Sequence, residues 1–248
     1  MWRRNDGVAH DAYFERLAQD VNEGLARCGF APDANQVLAR NGLWRMSQSA
    51  WLRVFEECLV SPDESHLIRA TVAFDFRHAG GGLEIVPPLV TVLRRAAESP
   101  DFVRQLARSA TAFRPPLGFR GSLAVARKDG ERGRIDVKRG GAIPIENLAR
   151  FHALANGVTI SATLDRLVAA QEVGALDADT ATGLREAFAI VSRIRTAHHA
   201  AQVEAGVAID NLVDPGDLAP LARNELREAF RVVAHAQKRL SAYVPLGL

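Results

Sequence analysis

Apolar residues recur at helical spacing over most of the chain. Residues 9–28 carry Phe14, Leu17, Val21 and Leu25 at intervals of 3, 4 and 4, one face of an amphipathic helix. Gly29 follows as a C-terminal stop. A loop rich in small and polar residues (31–42) leads to a second helix over 47–60, with Trp51, Val54, Phe55 and Cys58 on its apolar face. Ser61-Pro62-Asp63-Glu64 predicts the start of a third, short helix: Ser61 caps, Pro62 suits the first turn and Glu64 closes a capping box. The rhythm then changes. Residues 70–77 alternate, with Val72, Phe74 and Phe76 on one side and Ala73, Asp75 and Arg77 on the other, which predicts a strand. Asp75 and Arg77 would project together from the side opposite the packing face, and Gly80-Gly81-Gly82 would end the strand.

Beyond residue 88 the pattern is almost wholly helical. One helix is predicted over 88–98, and Ser99-Pro100-Asp101 caps the next, which carries Phe102, Leu106 and Phe113. Residues 121–139 interrupt it with two β-like runs, 123–126 and 134–137, around Asp129-Gly130, a small hairpin. Four helices follow, over 145–155, 163–173, 177–205 and 217–243. The last two carry the stripes Leu184, Phe188, Val191, His198 and Leu226, Phe230, Val233, Leu240, which fit antiparallel packing in a bundle. The fold class is therefore mainly α (α+β). A small mixed α/β piece occupies 1–96, and a helical domain with one β-hairpin occupies 97–248.

Composition narrows the choice. With 48% apolar and 24% charged residues the chain is globular, which excludes disorder, collagen-like repeats and a disulfide scaffold. A net charge of +2 is too small to argue for a nucleic-acid partner. Cys28 and Cys58 sit inside amphipathic runs, as buried thiols of a reduced, cytoplasmic protein do. No stretch approaches the roughly 18 apolar residues of a membrane span. The segment 1–6 has positive charge with no apolar core behind it, so it does not read as a signal peptide.

Asp75 is the sharpest chemical candidate. A carboxylate on the polar side of a short strand is placed to hold a divalent cation; it is equally an edge-strand acid paired with Arg77. Magnesium-dependent phosphoryl or nucleotidyl transfer needs several converging carboxylates. Asp177-Ala178-Asp179 has the right spelling but stands at a helix start, where both acids serve as caps. A basic constellation surrounds the hairpin: Arg114, Arg120, Lys138, Arg139 beside Gly140-Gly141, and Arg150. Glycines let a phosphate approach the backbone and arginine offers a fork of donors, although solvated surface charge explains the same residues. His198 falls on the apolar stripe of its helix and calls for a polar partner. Asn211 and Asp214 read as a turn between the two long helices. No GxSxG, HExxH, GxGxxG or P-loop pattern is present.

An ordered set of segments resembles a known family. These are residues 24–30 and 39–45, then Phe74-Asp75-Phe76-Arg77, Pro115-Pro116-Leu117-Gly118-Phe119 and Ile135-Asp136-Val137-Lys138-Arg139. Pro144-Ile145, Leu148-Ala149-Arg150, residues 210–215 and Gln237 complete it. The family comprises nucleotidyltransferases with a C-terminal substrate-binding domain, found with CBS and cyclic-nucleotide-binding sensor domains in bacterial signalling proteins. It is related to protein-PII uridylyltransferase and glutamine-synthetase adenylyltransferase. The resemblance implies a polymerase-β-like catalytic domain whose back half is residues 1–96, and a substrate-binding domain over 97–248. Asp75 would be its third metal carboxylate and a catalytic group. Arg77, Lys138, Arg139 and Arg150 would bind phosphate or substrate. An NTP would be the substrate and a regulatory protein the acceptor. The family's Gly-Ser turn and Asp-x-Asp strand have no counterpart here. Mg2+ is therefore expected only with the complete catalytic domain, and this chain alone is expected to be inactive. A catalytically inactive regulatory or protein-interaction module is the alternative.

Overall fold

The computed structural model describes residues 7–61, 72–126 and 131–243. Its architecture is mainly helical. Helix α1 (Gly7–Arg27) is followed by α2 (Gln48–Val60), α3 (Val86–Arg94) with a 3-10 turn (Arg95–Glu98), and α4 (Pro100–Ala112). Strand β1 (Ile135–Asp136) runs into a π-helical turn (Lys138–Ala142) and α5 (Ile143–Leu154). Then come α6 (Thr163–Glu172), α7 (Ala178–Glu204), β2 (Leu212–Val213) and α8 (Pro220–Tyr243). The expected boundaries hold closely for most helices because caps and stops act locally. Ser47 accepts the Ala50 amide at 3.2 Å and Asp177 accepts that of Thr180 at 2.8 Å. Gly29, at φ +92°, ends α1 with Phe30 N–H donating to Leu25 at 3.0 Å.

The long pair α7 and α8 packs as expected, burying Leu184, Val191, Leu226, Phe230, Val233 and Leu240. Helix α5 lies against α4, α6 and the π-helical turn, and nearly all of it is buried. Gln237 of α8 spans to the end of α4, its Nε2 donating to the Ala110 and Phe113 carbonyls at 2.9 and 2.7 Å. An aromatic chain ties the earlier part of the molecule to this bundle. Phe55 of α2 meets Phe74 at 4.5 Å, and Phe74 meets Phe102 of α4 at 5.7 Å between ring centroids.

Four expectations are corrected. Residues 72–77 form no strand: 72 and 73 are a helical turn, 74 a turn, 75 a bend. Phe74 is buried, while Val72, assigned to the same face, is 41% exposed. Alternation marks a strand only where a neighbour completes its ladder, and the described residues supply none. The hairpin forms partly. Its arms touch where Ala126 N–H donates to Arg134 and Gly133 N–H to Ala126, at 2.9 and 3.0 Å. The ladder partner of β1, however, is the distant β2, with Ile135 opposite Val213 and Asp136 opposite Leu212. It is the one sheet among the described residues, and none of its strands lies within 1–96. Cys28 is exposed and only Cys58 is buried, because the apolar face of α1 is largely uncovered: Leu17, Val21 and Leu25 are 43–48% exposed. Gly140 and Gly141 are buried rather than open. The helix expected from Ser61-Pro62-Asp63-Glu64 and the turn Asp129-Gly130 lie outside the described residues.

The glycine pair serves packing. A Cβ on Gly141 would stand 3.0 Å from Val191 and 3.2 Å from Phe230, and one on Gly140 would stand 2.6 Å from the Pro116 ring. Gly140→Ala is therefore expected to cost about 1–3 kcal/mol, read as a lower urea midpoint with an unchanged slope.

Candidate functional site

Helix α5 sets Asn147 and Arg150 three residues apart on one buried face, and α6 carries Arg166 within its buried stripe beside Leu167 and Ala170. All three are buried. A long cation can occupy such positions only if its head finds an anion. Asp75 supplies it from the bend between α2 and α3. Arg150 grips the carboxylate in a fork, Nη2 donating to Oδ2 at 2.5 Å and Nε to Oδ1 at 3.3 Å. Arg166 Nη2 donates to Oδ1 at 2.6 Å. Further donors are used as well: Arg150 Nη1 reaches Asn147 Oδ1 at 2.6 Å, and Arg166 Nε reaches the Ile160 carbonyl at 2.6 Å. Asn147 in turn donates to Ser109 of α4 at 3.2 Å.

Burial by itself would raise the Asp75 pKa, but the hydrogen bonds and positive charges of Arg150 and then Arg166 outweigh it and hold the carboxyl below its usual range. Burial pushes the Arg166 pKa down, Asp75 opposes that, and the like charge of Arg150 adds to it. Two guanidinium groups around one carboxylate leave a net charge of +1 in the cluster. Only the Asp75 side chain, 30% exposed, reaches solvent appreciably; those of Arg150 and Arg166 are 8% and 2% exposed.

Asp75 also borders a cavity of about 590 Å3. Trp44, Trp51, Phe55 and Phe76 give it an aromatic wall, and Arg77, His78 and Gly80-Gly81 form part of its lining. Of the five residues singled out in the sequence, three thus come together: Asp75 and Arg150 in contact, Arg77 on the adjoining wall. Lys138 and Arg139 do not line this cavity. Both lie exposed in the π-helical turn, where their backbone N–H groups donate to Asp136 Oδ1 at 3.0 and 2.8 Å. The Arg139 guanidinium lies over the Phe113 ring at 5.1 Å. Sequence reasoning missed Arg166. Its signal was a charge set inside the apolar spacing of α6, where a solvated arginine would not fall.

The other polar candidates hold the chain in place. His198 Nε2 lies 3.0 Å from Asp210 Oδ1, the polar partner its stripe position called for. The His198 hydrogen bond leads in bringing the Asp210 pKa to about 2, burial opposing it and the Leu212 amide and Gln202 adding to it. Asn211 Oδ1 accepts from Arg195 Nε at 2.8 Å and lies 3.2 Å from His199 Nε2. Asp214 accepts the Gly216 amide at 2.7 Å.

A magnesium ion at Asp75 does not fit these surroundings. Both carboxylate oxygens accept from guanidinium groups, and two buried cations would repel a third. Among the described residues no three His, Cys, Asp or Glu side chains are grouped so as to hold a metal.

The helical bundle thus carries a buried basic pair that grips Asp75 beside a cavity, and among the described residues no metal centre is assembled. Residues 100–244 match the family described as putative nucleotidyltransferase substrate binding domain, and residues 2–65 match putative nucleotidyltransferase DUF294. The first match alone spans more than half of the chain, which belongs to this nucleotidyltransferase-like family. No curated protein and no solved structure matches it. Among the described residues no helix is long and apolar enough to cross a membrane.

Asp75→Asn leaves two buried guanidinium groups without a counter-charge. A loss of about 2–3 kcal/mol is expected, below the 3–5 of a fully buried pair because Asp75 is partly exposed; urea unfolding at pH 7 measures it. The pH dependence follows from the lowered pKa. The stabilisation is whole above the unfolded carboxyl value of about 3.9 and fades as pH falls through the lower folded value. The stability gap between wild type and Asp75→Asn should therefore narrow on acidification below about pH 4.

Proposed function

We propose that this chain serves nucleotidyl transfer of the uridylyl- or adenylyl-transferring type by binding and positioning a substrate, without itself assembling the magnesium-dependent transfer centre. The observation that carries this reading is the engagement of Asp75. A carboxylate committed to Arg150 and Arg166 docks the segment after α2 onto the helical domain and is not available to a metal–triphosphate complex. Its work is positional: it fixes Arg77 and the aromatic wall beside the bundle, forming the cavity into which a substrate can be received. The family's name for residues 100–244 supports substrate binding as the role of the helices.

By the resemblance, the NTP and Mg2+ act at carboxylates that the described residues do not group together. The acceptor is a protein side chain or a small molecule, and CBS or cyclic-nucleotide-binding domains are the sensors that govern it. A second reading, a regulatory interaction module, is favoured by the exposed Leu17, Val21 and Leu25 of α1. It differs from the first in requiring no nucleotide.

Incubation with α-phosphate-labelled ATP or UTP and Mg2+ is expected to give no transfer, while calorimetric titration gives nucleotide binding that EDTA does not abolish. Magnesium-dependent transfer that disappears in Asp75→Asn would overturn the positional role. Absence of any nucleotide binding would favour the interaction module.

A further inference from the structure

A second cavity, of about 700 Å3, opens inside the helical domain between the end of α5, the α6–α7 loop and the last turns of α8. It shares no lining residue with the cavity beside Asp75. Its volume lies within the roughly 300–1,000 Å3 of small-molecule sites. Phe151, Leu176 and Leu240 make its apolar part, and His152, Asp177 and Arg239 its polar part. None of these three polar residues takes part in the Asp75 cluster.

Each of the three has hydrogen-bonding capacity left over. Arg239 uses one nitrogen: Nη1 donates to Asp177 Oδ2 at 2.6 Å and to Thr180 Oγ1 at 3.0 Å. Among the described residues its Nε and Nη2 donate to no protein acceptor, which leaves one edge of the planar fork open; that edge matches two oxygens of a phosphate. Asp177, which caps α7, accepts from the Thr180 amide at 2.8 Å and hydroxyl at 3.0 Å. A carboxylate has about four acceptor positions, and with Arg239 three are taken, so one hydroxyl donor can still be received at its rim. The Thr180 hydrogen bonds, then that of Arg239, bring its pKa to about 2, so it stays ionised at neutral pH.

His152 is the half-buried member. Burial first, with the charge of Arg239 adding, pushes its pKa down to about 4 against a hydrogen bond to the Ala175 backbone. The ring is therefore neutral at pH 7. A neutral imidazole carries one acceptor nitrogen, and His152 lines this cavity, where that nitrogen can take a donor from a ligand.

We propose that this cavity binds a nucleoside 5′-phosphate, with the base on Phe151, Leu176 and Leu240, a base N–H on His152, a ribose hydroxyl on Asp177 and the phosphate on the open edge of Arg239. A simple anion would meet Asp177 without bringing it a donor, and an uncharged ring would leave the Arg239 edge unused. A ligand carrying base, ribose hydroxyl and phosphate satisfies all three groups. This inference rests on the reading that the chain binds a substrate of nucleotidyl transfer, and adds a second site, inside the helical domain and apart from the cavity beside Asp75.

The test is calorimetry on the full chain, without added metal, using AMP and UMP, with adenosine, uridine and inorganic phosphate as separate arms. Expected is one site per chain for at least one monophosphate, and at least tenfold weaker binding of its nucleoside and of phosphate alone. Arg239→Ala and His152→Leu should each weaken the monophosphate at least tenfold. Arg239 is 57% exposed, so its variant should keep the fold, which far-UV circular dichroism checks. Asp177→Asn, which retains a capping side chain, should weaken the ribonucleotide more than the 2′-deoxyribonucleotide. Monophosphate binding unchanged in both Arg239→Ala and His152→Leu would overturn this site while leaving substrate binding by the chain intact. Binding of triphosphates but of neither monophosphate would overturn the ligand class. No nucleotide binding of any kind would remove both this inference and the reading beneath it.

Discussion

The meeting of Asp75 with Arg150 and Arg166 is the constraint on which the arrangement of this molecule depends. Two arginines are buried on adjacent helices of the bundle, and their charge is tolerable there only because a carboxylate from a remote part of the chain is delivered between them. The delivery carries structure with it. Phe74 and Phe76, on either side of the acid, pack against Phe55 of α2, so α2, the bend and the bundle share one core. The apolar contacts supply attraction without direction; the ion cluster selects the docked position, since a shift of a few ångströms would leave two buried cations unpaired.

The same cluster decides what chemistry the site can perform. A carboxylate flanked by guanidinium groups is held ionised, yet it is not free to take a metal or a proton. A metal centre would need acids converging where the described residues place bases. Arg77 and the aromatic wall line the cavity that Asp75 borders, while its carboxylate is held by the two arginines of the bundle. Polar groups elsewhere follow the same economy. His198 and Gln202 are joined through Asp210, Arg195 and His199 through Asn211, and Gln237 links two helices. Arg239 and His152 differ in lining a cavity, and the Arg239 guanidinium is bonded through Nη1.

Close backbone approach explains the π-helical turn. Lys138–Ala142 lies against α5, α7 and α8, and the contacts that side chains at 140 and 141 would meet leave room only for glycine. In sequence, a basic pair followed by two glycines looked like a phosphate cradle. In the fold the glycines turn inward to the core, the cations turn outward, and the carboxylate of Asp136 takes the backbone donors that a phosphate would have used.

Local rules determined most of the helices. Caps at Ser47, Ser99 and Asp177, the stop at Gly29 and the stripes of α7 and α8 act within a few residues, so neighbours in sequence suffice to read them. The polar partner of His198 was legible for the same reason: a histidine on an apolar stripe must find one. Family membership was legible because it rests on the order of many segments, not on any one contact. What tertiary structure alone decided are the pairings between distant residues. Alternation at 72–77 could not become a strand without a neighbouring strand, β1 found its ladder partner 76 to 78 residues away at β2, and Arg166 acquired its meaning only when Asp75 arrived from 91 positions earlier. A sequence states which groups need partners; only the folded chain brings those partners within hydrogen-bonding distance.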